Sequence, residues 1–534
     1  MLTLFLFFYI MTIMKKIINS NLFFLFILTI IIFIVYGKSI NFGITNFDDD
    51  ELIYNNMDFI SDIRNIPEFF LNDCYFKKDT QYYRPVLNIS FSLESFLFKD
   101  NLKVYHTTNI LLYIISLFII FVLLSKLNFN KTIVKFLVLL FAVHPVLSSI
   151  PVWIPARNDT LLTVFFLLSL INFINYIKTD KIKYLVLHFL FFFLSLFLKE
   201  TMLLLIFIYP LLIYCFNFKI NKKQIINNCF FVVPILIIYF ILRHYSVQPV
   251  YISIYFNNFL YYMKNIFVGF MLYIEKLFYP ATMPIMIYDI MPALQTYIVS
   301  ICIVLFLIFV CYKKVIDKKI FIFAILFSFL AILPTFALED YLFFTHRLII
   351  SLPGILIILT LMCEKLIKTY NKANIYLIIV FVLLFPLFAF CSFMQTDKYK
   401  NSLIYWINAY KDAPNFCIAY SGLAKEFIFL GNYDKAIELL FEAKKIKNKY
   451  AYDLDICSTF IAKGELDKAK ERLLRMTKLK DDFLTFRYLS EIFYIQGDLE
   501  NSKIYADKAM KINPTDNVIL NHYKKLTDAL NGKK

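Results

Sequence analysis

The nine cysteines of this 534-residue chain include no C-x-x-C pair and no Cys/His cluster at metal-ligand spacing. Cys215, Cys229, Cys302, Cys311, Cys363 and Cys391 lie in or beside apolar runs, where cysteine behaves as a small hydrophobe. A disulfide framework is therefore not expected. Arginine is scarce: the chain has only eight. Acids are scarce beside the lysine clusters between apolar runs, where only Asp180, Asp317 and Glu364 occur. No small-residue cleavage site follows the first long apolar stretch, so that stretch reads as an uncleaved signal-anchor. Met14-Lys15-Lys16 makes a better start for it than Met1.

What is abundant is apolar. Hydrophobic residues make up 60% of the chain and aromatics 19%, well above an ordinary soluble domain. The bilayer is the natural solvent for such a composition. The formal charge of +16 does not call for nucleic acid. Most lysines sit in short clusters between apolar runs, as the positive-inside rule requires, or in the C-terminal segment. Segments long enough to cross a bilayer fall near 18–37, 104–124, 134–150, 160–177, 183–198, 201–218, 225–242, 293–312, 319–336, 347–363 and 374–394. Lys15, Lys16, Lys126, Lys131, Lys181, Lys222, Lys223, Lys313, Lys314, Lys365 and Lys372 mark the cytoplasmic side, and the N-terminus lies there. The acidic 38–103 loop faces the other side. Residues 257–280 are apolar enough to span, yet they carry Lys264, Glu275 and Lys276 and read as an amphipathic interfacial helix. Eleven spans put the C-terminus outside; a twelfth would put it inside.

After residue 395 a repeat replaces the hydropathy. Gly431-Asn432-Tyr433-Asp434-Lys435-Ala436, Gly464-Glu465-Leu466-Asp467-Lys468-Ala469 and Gly497-Asp498-Leu499-Glu500-Asn501-Ser502 recur at a fixed interval. Phe427, Phe460 and Phe493 hold a matching aromatic position. The pattern resembles the tetratricopeptide repeat, in which glycine closes the first helix and a small residue lets the second pack closely. The expected fold class is all-α, a polytopic membrane bundle of about eleven spans followed by a helical-repeat solenoid. The expected domains are 1–394 in the membrane, a 395–414 linker and 415–534 for the repeats, with 516–530 as a capping helix.

Chemistry concentrates on the expected outer face. Asp48, Asp49, Asp50 and Glu51 are adjacent carboxylates, which repel unless a cation, a hydroxyl substrate or a proton relieves them. The alternative is a solvated acidic loop. Three arginines, Arg472, Arg475 and Arg487, belong to the repeats. The other five, Arg64, Arg84, Arg157, Arg243 and Arg347, all fall on the side that positive-inside bias depletes. Orientation cannot explain them, and guanidinium suits phosphate. Their alternative is local pairing, Arg157 with Asp159 and Arg347 with Glu339 or Asp340. Carboxylates and arginines beside lipid fit a reaction on a lipid phosphate, such as glycosyl transfer. A phosphatase or headgroup transferase could use the same parts.

Several motifs carry a resemblance. Phe47-Asp48-Asp49-Asp50 with Asn55-Asn56, Tyr83-Arg84-Pro85-Val86, Tyr105-His106-Thr107-Thr108-Asn109, His144-Pro145 through Val152-Trp153, Arg157-Asn158-Asp159, Lys199-Glu200, Tyr279-Pro280 with Tyr288-Asp289, and His346-Arg347 with Leu352-Pro353-Gly354 occur in this order. The set resembles the transmembrane and tetratricopeptide-repeat O-mannosyltransferases and their bacterial relatives in the GT-C superfamily. The resemblance implies transfer of a mannose-like sugar from a polyprenyl-phosphate donor to a hydroxyl, usually of a protein, on the exoplasmic or periplasmic face, where the repeats would also lie. It implies a glycosyltransferase with Asp48 or Asp49 as base, Asp50 and Glu51 supporting the acceptor loop, and Arg84, Arg157 and Arg347 on the donor phosphate. His106, His144, Lys199 and Glu200 would stand behind them, with Lys199-Glu200 read equally as a buried pair positioning two spans. Ligand spacing gives no support for a divalent metal at 48–51. The chain departs from the family at Ser148 and Ser149, where an acid is usual, and at Thr345-His346, where the acid of an E-R pair would stand. A membrane-anchored repeat scaffold without catalysis is the rival reading. A transporter ranks below both, since the charges sit at span ends rather than mid-membrane.

Overall fold

The computed structural model describes residues 20–77, 80–248, 256–280, 283–288, 294–312, 317–337 and 342–531. The readings that concern Met1, Met14, Lys15, Lys16, Asp289, Lys313, Lys314, Glu339 and Asp340 fall outside those residues. The chain is all-α. Its only strands among the described residues are the pair β1 (Ile287–Tyr288) and β2 (Leu342–Phe343), antiparallel with Ile287 opposite Phe343. Two compact units are present, Met1–Tyr405 and Trp406–Lys534.

The first unit contains α1 (Asn21–Tyr36), α2 (Pro85–Phe98), α3 (Leu102–Lys126), α4 (Lys131–Ala142), α5 (Arg157–Thr179), α6 (Ile182–Leu196), α7 (Lys222–Ser246), α8 (Phe256–Phe278), α9 (Leu294–Tyr312), α10 (Lys318–Ile332), α11 (Leu352–Thr369) and α12 (Ala373–Gln395). Side-chain caps start many of these helices where the sequence leaves a polar residue before an apolar run. Ser20 accepts from Phe23 N at 2.9 Å, Asn130 from Thr132 N and Ile133 N, and Asn221 forms a capping box with Gln224. Six described helices are long and apolar enough to cross a membrane, or seven if a bent pair counts as one.

The bent pair is Lys131–Ala142 with Pro145–Val152, at 63°. The expected 134–150 span therefore breaks where Pro145 supplies no N–H and His144 caps the next turn. The 201–218 segment likewise splits into Met202–Leu205 and Ile208–Cys215. There the ring of Pro210 opposes the Ile206 carbonyl four residues earlier. The 38–103 loop is not a plain loop. It contains three one-turn helices and α2, which opens with Pro85 at its first position and buries Val86, Leu87 and Phe91 on one face. The 257–280 segment is helical as α8, with Glu275 and Lys276 buried 3.3 Å apart and Thr296 donating to Glu275 at 2.8 Å.

Helices α10 and α11 approach closely through small residues. Ser351 Oγ donates to Ser328 O at 3.0 Å, and a Cβ on Gly354 would collide with Ala324 O and Ser328 Oγ. The contact includes backbone, so it cannot yield by a rotamer change alone. Gly354→Ala is expected to cost about 1–3 kcal/mol by overpacking. Thermal unfolding in detergent checks this, and an unchanged Tm would show that the helices separate freely.

The second unit runs through α13 (Ser402–Asp412), which carries the unit boundary, α14 (Cys417–Phe429), α15 (Tyr433–Ile446), α16 (Tyr450–Lys463), α17 (Leu466–Met476), α18 (Phe483–Ile495), α19 (Leu499–Ile512) and α20 (Asn517–Asn531). Gly431, Gly464 and Gly497 adopt φ of 74°, 88° and 80°, the left-handed turn that ends one helix and turns the chain into the next. Ala436, Ala469 and Ser502 are fully buried, as close helix packing requires. Ser490 and Ser502 each donate to the other's carbonyl at 2.8 Å. Apolar clusters bridge consecutive helices: Cys457, Ala469, Leu473 and Leu489 form one, and Phe486, Ala506, Ile519 and Leu526 another.

Candidate functional site: a charged cavity beneath the first loop

The site begins with a carboxylate that faces away from it. Asp49 is buried, and its Oδ2 accepts from Thr45 N at 2.7 Å and Thr45 Oγ1 at 2.9 Å. Its Oδ1 accepts from Phe47 N and Asp50 N, both at 3.1 Å. Four donors on one carboxylate knot the loop. Burial pushes the Asp49 carboxyl up to about 7, against the bonds from Thr45 and Phe47. The knot leaves Asp48 at φ 71°, a conformation unusual for any residue but glycine, at the start of a one-turn helix. Asp48 is thereby turned toward a cavity of about 290 Å³.

Asp48 Oδ1 accepts from Tyr75 OH at 3.0 Å. Burial raises its carboxyl above the ordinary range, opposed by the Tyr75 bond and the charge of Arg84. Tyr75 is held by Asp73, whose carboxylate accepts from Tyr75 N, Lys77 N, Thr80 N and Thr80 Oγ1. Arg84 lines the same cavity with its guanidinium 4.6 Å from the Tyr82 ring centre. Its Nε is buried and has no hydrogen-bond partner. Asn158 Oδ1, on another wall, is in the same condition.

Four further charges of the cavity form two pairs at its walls. Lys199 Nζ donates to Asp159 Oδ1 at 2.7 Å, and Arg243 Nη1 donates to Glu200 Oε1 at 3.3 Å. Tyr83 N also donates to Glu200. Arg347 lines the cavity beside His346, with its guanidinium 5.1 Å from the Phe344 ring centre. His346 Nε2 lies 3.7 Å from Asp159 Oδ2. Burial pushes His346 down to about 3, against the pull of Asp159, so the ring is neutral near pH 7. Trp153, stacked with Phe47 and Phe344, forms an aromatic wall, and its Nε1 donates to Thr45.

The structure thus brings Asp48, Arg84, Lys199, Glu200 and Arg347 to one cavity and leaves other expected residues outside it. Asp49 serves its own loop, and Glu51 pairs with Lys77 at 2.8 Å. Asp50 does not line the cavity. Arg157 is corrected from phosphate contact to core residue. It is fully buried and donates to Glu94 at 2.6 Å, Asn109 at 2.8 Å and Tyr105 O at 2.9 Å. Its partner is not Asp159, because Asp159 takes Lys199. Lys199 and Glu200 are likewise not each other's partners, since Lys199 takes Asp159 and Glu200 takes Arg243. His106 is buried against Phe42, and His144 is fixed by Val146 N and Leu277 O. Neither lines the cavity. Ser148 bonds Pro145 O, and Ser148 and Ser149 are both buried away from the cavity. Among the described residues, no three His, Cys, Asp or Glu side chains converge as metal ligands.

The sequence singled out neither Tyr75 nor Tyr82, offered Asp159 only as a partner for Arg157, and left Arg243 among the five arginines without a site of its own. Arg243 carried the same signal as the other outer arginines, and Asp159 closes the R-x-D stretch. Tyr75 and Tyr82 carried none in a chain so rich in tyrosine. A second cavity, of about 940 Å³ and almost wholly apolar, lies among α8, α9, α10 and α11. Its lining includes Leu348 and Ser351, directly after Arg347. A scan of the chain against protein-family models gives no match, and a search of curated proteins gives none either.

Removing Arg157 would strand Glu94 in the core. Arg157→Ala is expected to cost about 3–5 kcal/mol, and Arg157→Ala with Glu94→Ala to recover part of it. Denaturation of the three proteins in detergent checks this; additive losses would show that the two residues do not form one unit.

Proposed function

We propose that the chain is a membrane glycosyltransferase of GT-C type, moving a sugar from a polyprenyl phosphate to an acceptor hydroxyl, in keeping with the ordered motifs. One observation carries the reading: a carboxylate with a raised pKa, Asp48, shares a cavity with Arg84, whose buried Nε lacks a partner. Asp48 takes the acceptor proton as the acceptor oxygen bonds to the anomeric carbon. The bond from that carbon to the phosphate oxygen breaks, and the lipid phosphate leaves with the electron pair toward Arg84 and Arg347. Lys199 and Arg243 hold Asp159 and Glu200 and keep the cavity from becoming net negative. Tyr75 positions Asp48. The apolar cavity after Arg347 supports a ligand with a charged head and a hydrocarbon chain. In this reading the unit holds eleven spans, the cavity and repeats face the exoplasmic side, and the repeats form a tetratricopeptide solenoid that presents a protein acceptor.

Transfer from a synthetic polyprenyl-phosphate sugar in proteoliposomes tests it. Asp48→Asn should lower the rate about 100-fold or more, the scale of a lost general base. Asp49→Asn should act mainly through stability. Full transfer by the Asp48 variant would refute the assignment, and no transfer by the native chain with any such donor would favour the scaffold. The sign of the pH dependence follows from Asp48. A base must be ionised, and its carboxyl lies above the ordinary range, so the rate should fall with falling pH through an apparent pKa above about 4. An acid limb at or below the free-aspartate value would contradict that. Arg84→Ala should raise the donor KM about tenfold or more, the loss of a charge-assisted contact to phosphate. An unchanged KM would remove Arg84 from the donor site.

A further inference from the structure

Three equivalent positions of the second unit expose an aliphatic side chain among lysines. They are Lys445-Ile446-Lys447, Lys478-Leu479-Lys480 and Lys511-Ile512, with the aliphatic residue recurring at the interval of the repeat. Ile446, Leu479 and Ile512 are 39%, 78% and 47% exposed. All three lie where the second helix of a repeat ends and the chain turns to the next, at the ends of α15, α17 and α19. If consecutive helix pairs stack as repeats, equivalent turns share one edge, and the inference rests on that reading.

Helix electrostatics do not account for the pattern. Basic residues in a last turn complement the helix dipole, and this covers Lys445 and Lys511. It covers Lys447 as well, which caps α15, but not Lys478 and Lys480, which lie beyond the end of α17 at Met476, nor Lys449, which lies beyond that cap. It gives no reason for Leu479 to stand in water between two lysines. One turn lysine is already paired, Lys445 with Glu442 at 2.6 Å, while the other acids near these turns are largely engaged elsewhere. Asp482 accepts from Thr485 N and Asp516 from Val518 N and Ile519 N at helix starts, and Asp453 is held by Lys444 and Arg472. Asp481 is the exposed exception.

We infer that this edge rests on the headgroup layer of an anionic bilayer, with Ile446, Leu479 and Ile512 in the interface and the flanking lysines at lipid phosphates. An aliphatic tip flanked by lysines is the pattern of interfacial anchoring, and each lysine near such a surface contributes. A bilayer needs no groove to receive separate tips. The surface is also supplied within the same polypeptide, so a weak affinity per turn is multiplied by effective concentration.

Hydrogen exchange of the full chain, in nanodiscs with and without anionic lipid, tests the inference. Amides of 445–449, 477–481 and 511–513 should exchange at least about fivefold more slowly in the anionic discs, from roughly 1 kcal/mol for each lysine at the surface. The slowing should vanish at high salt. The combined variant Lys445→Glu, Lys447→Glu, Lys478→Glu, Lys480→Glu and Lys511→Glu should abolish it while α15–α19 keep their protection. Equal rates for the native chain in both discs, or slowing that is as large without anionic lipid, overturns the proposal even if the variant fails to fold. Helices α15–α18 unprotected in every disc would instead remove the stacked-repeat reading. Protected helices with unresponsive turns would remove the docking alone and leave the catalytic proposal standing.

Discussion

Arg157 has no route to water, and the end of the first unit that holds the cavity is built around that fact. A guanidinium in a low-dielectric interior is tolerable only when its donors are met, and here Glu94, Asn109 and the Tyr105 carbonyl meet them. Asn109 in turn donates to the carbonyls of Trp153 and Ile154. One side chain therefore ties α2, α3 and the turn before α5 together. Trp153 and Asp159 are placed by that tie, and through them two walls of the cavity. The charges that neutralise each other, Lys199 with Asp159 and Arg243 with Glu200, form the frame. Asp48 and Arg84 face the space inside it.

The same logic separates two adjacent aspartates that look interchangeable in the sequence. Asp49 spends all its acceptor capacity on the loop, and the turn it enforces presents Asp48. A residue that never touches the cavity thus sets the geometry of one that does. The backbone strain at Asp48 is held by four hydrogen bonds at its neighbour, a small local cost against several local gains.

How far the sequence could be read follows from where its periodicity was strong. Apolar runs and lysine clusters marked each long helix of the membrane unit, and the recurring glycine turns marked the helix pairs after residue 406. Broken spans were harder, because a proline in an apolar run does not say whether the helix kinks or stops. Helix α2 was missed inside an acidic loop whose composition masked the face formed by Val86, Leu87 and Phe91. At the cavity, residue type was legible and pairing was not. The scarcity of arginine pointed to Arg84, Arg157 and Arg347 alike, yet only three-dimensional packing tells a guanidinium that lines a cavity from one that holds helices together. Tyr75 was invisible for another reason: among 37 tyrosines, nothing in sequence distinguishes one that donates to Asp48.

Helix α7 has only 6% of its most apolar stretch buried, yet both its ends are fixed. Gln224 reaches the carbonyls of Tyr176 and Ile177 at one end, while Arg243 and Ser246 reach Glu200 and Phe70 O at the other. Between them, only a few residues such as Tyr239 and Asn227 touch the bundle firmly. Lineages descending from this chain should consequently exchange Ile, Leu, Val and Phe across most of 225–242 almost neutrally, while the two ends diverge slowly. Substitution rate along this one helix should trace a trough, a plateau and a second trough.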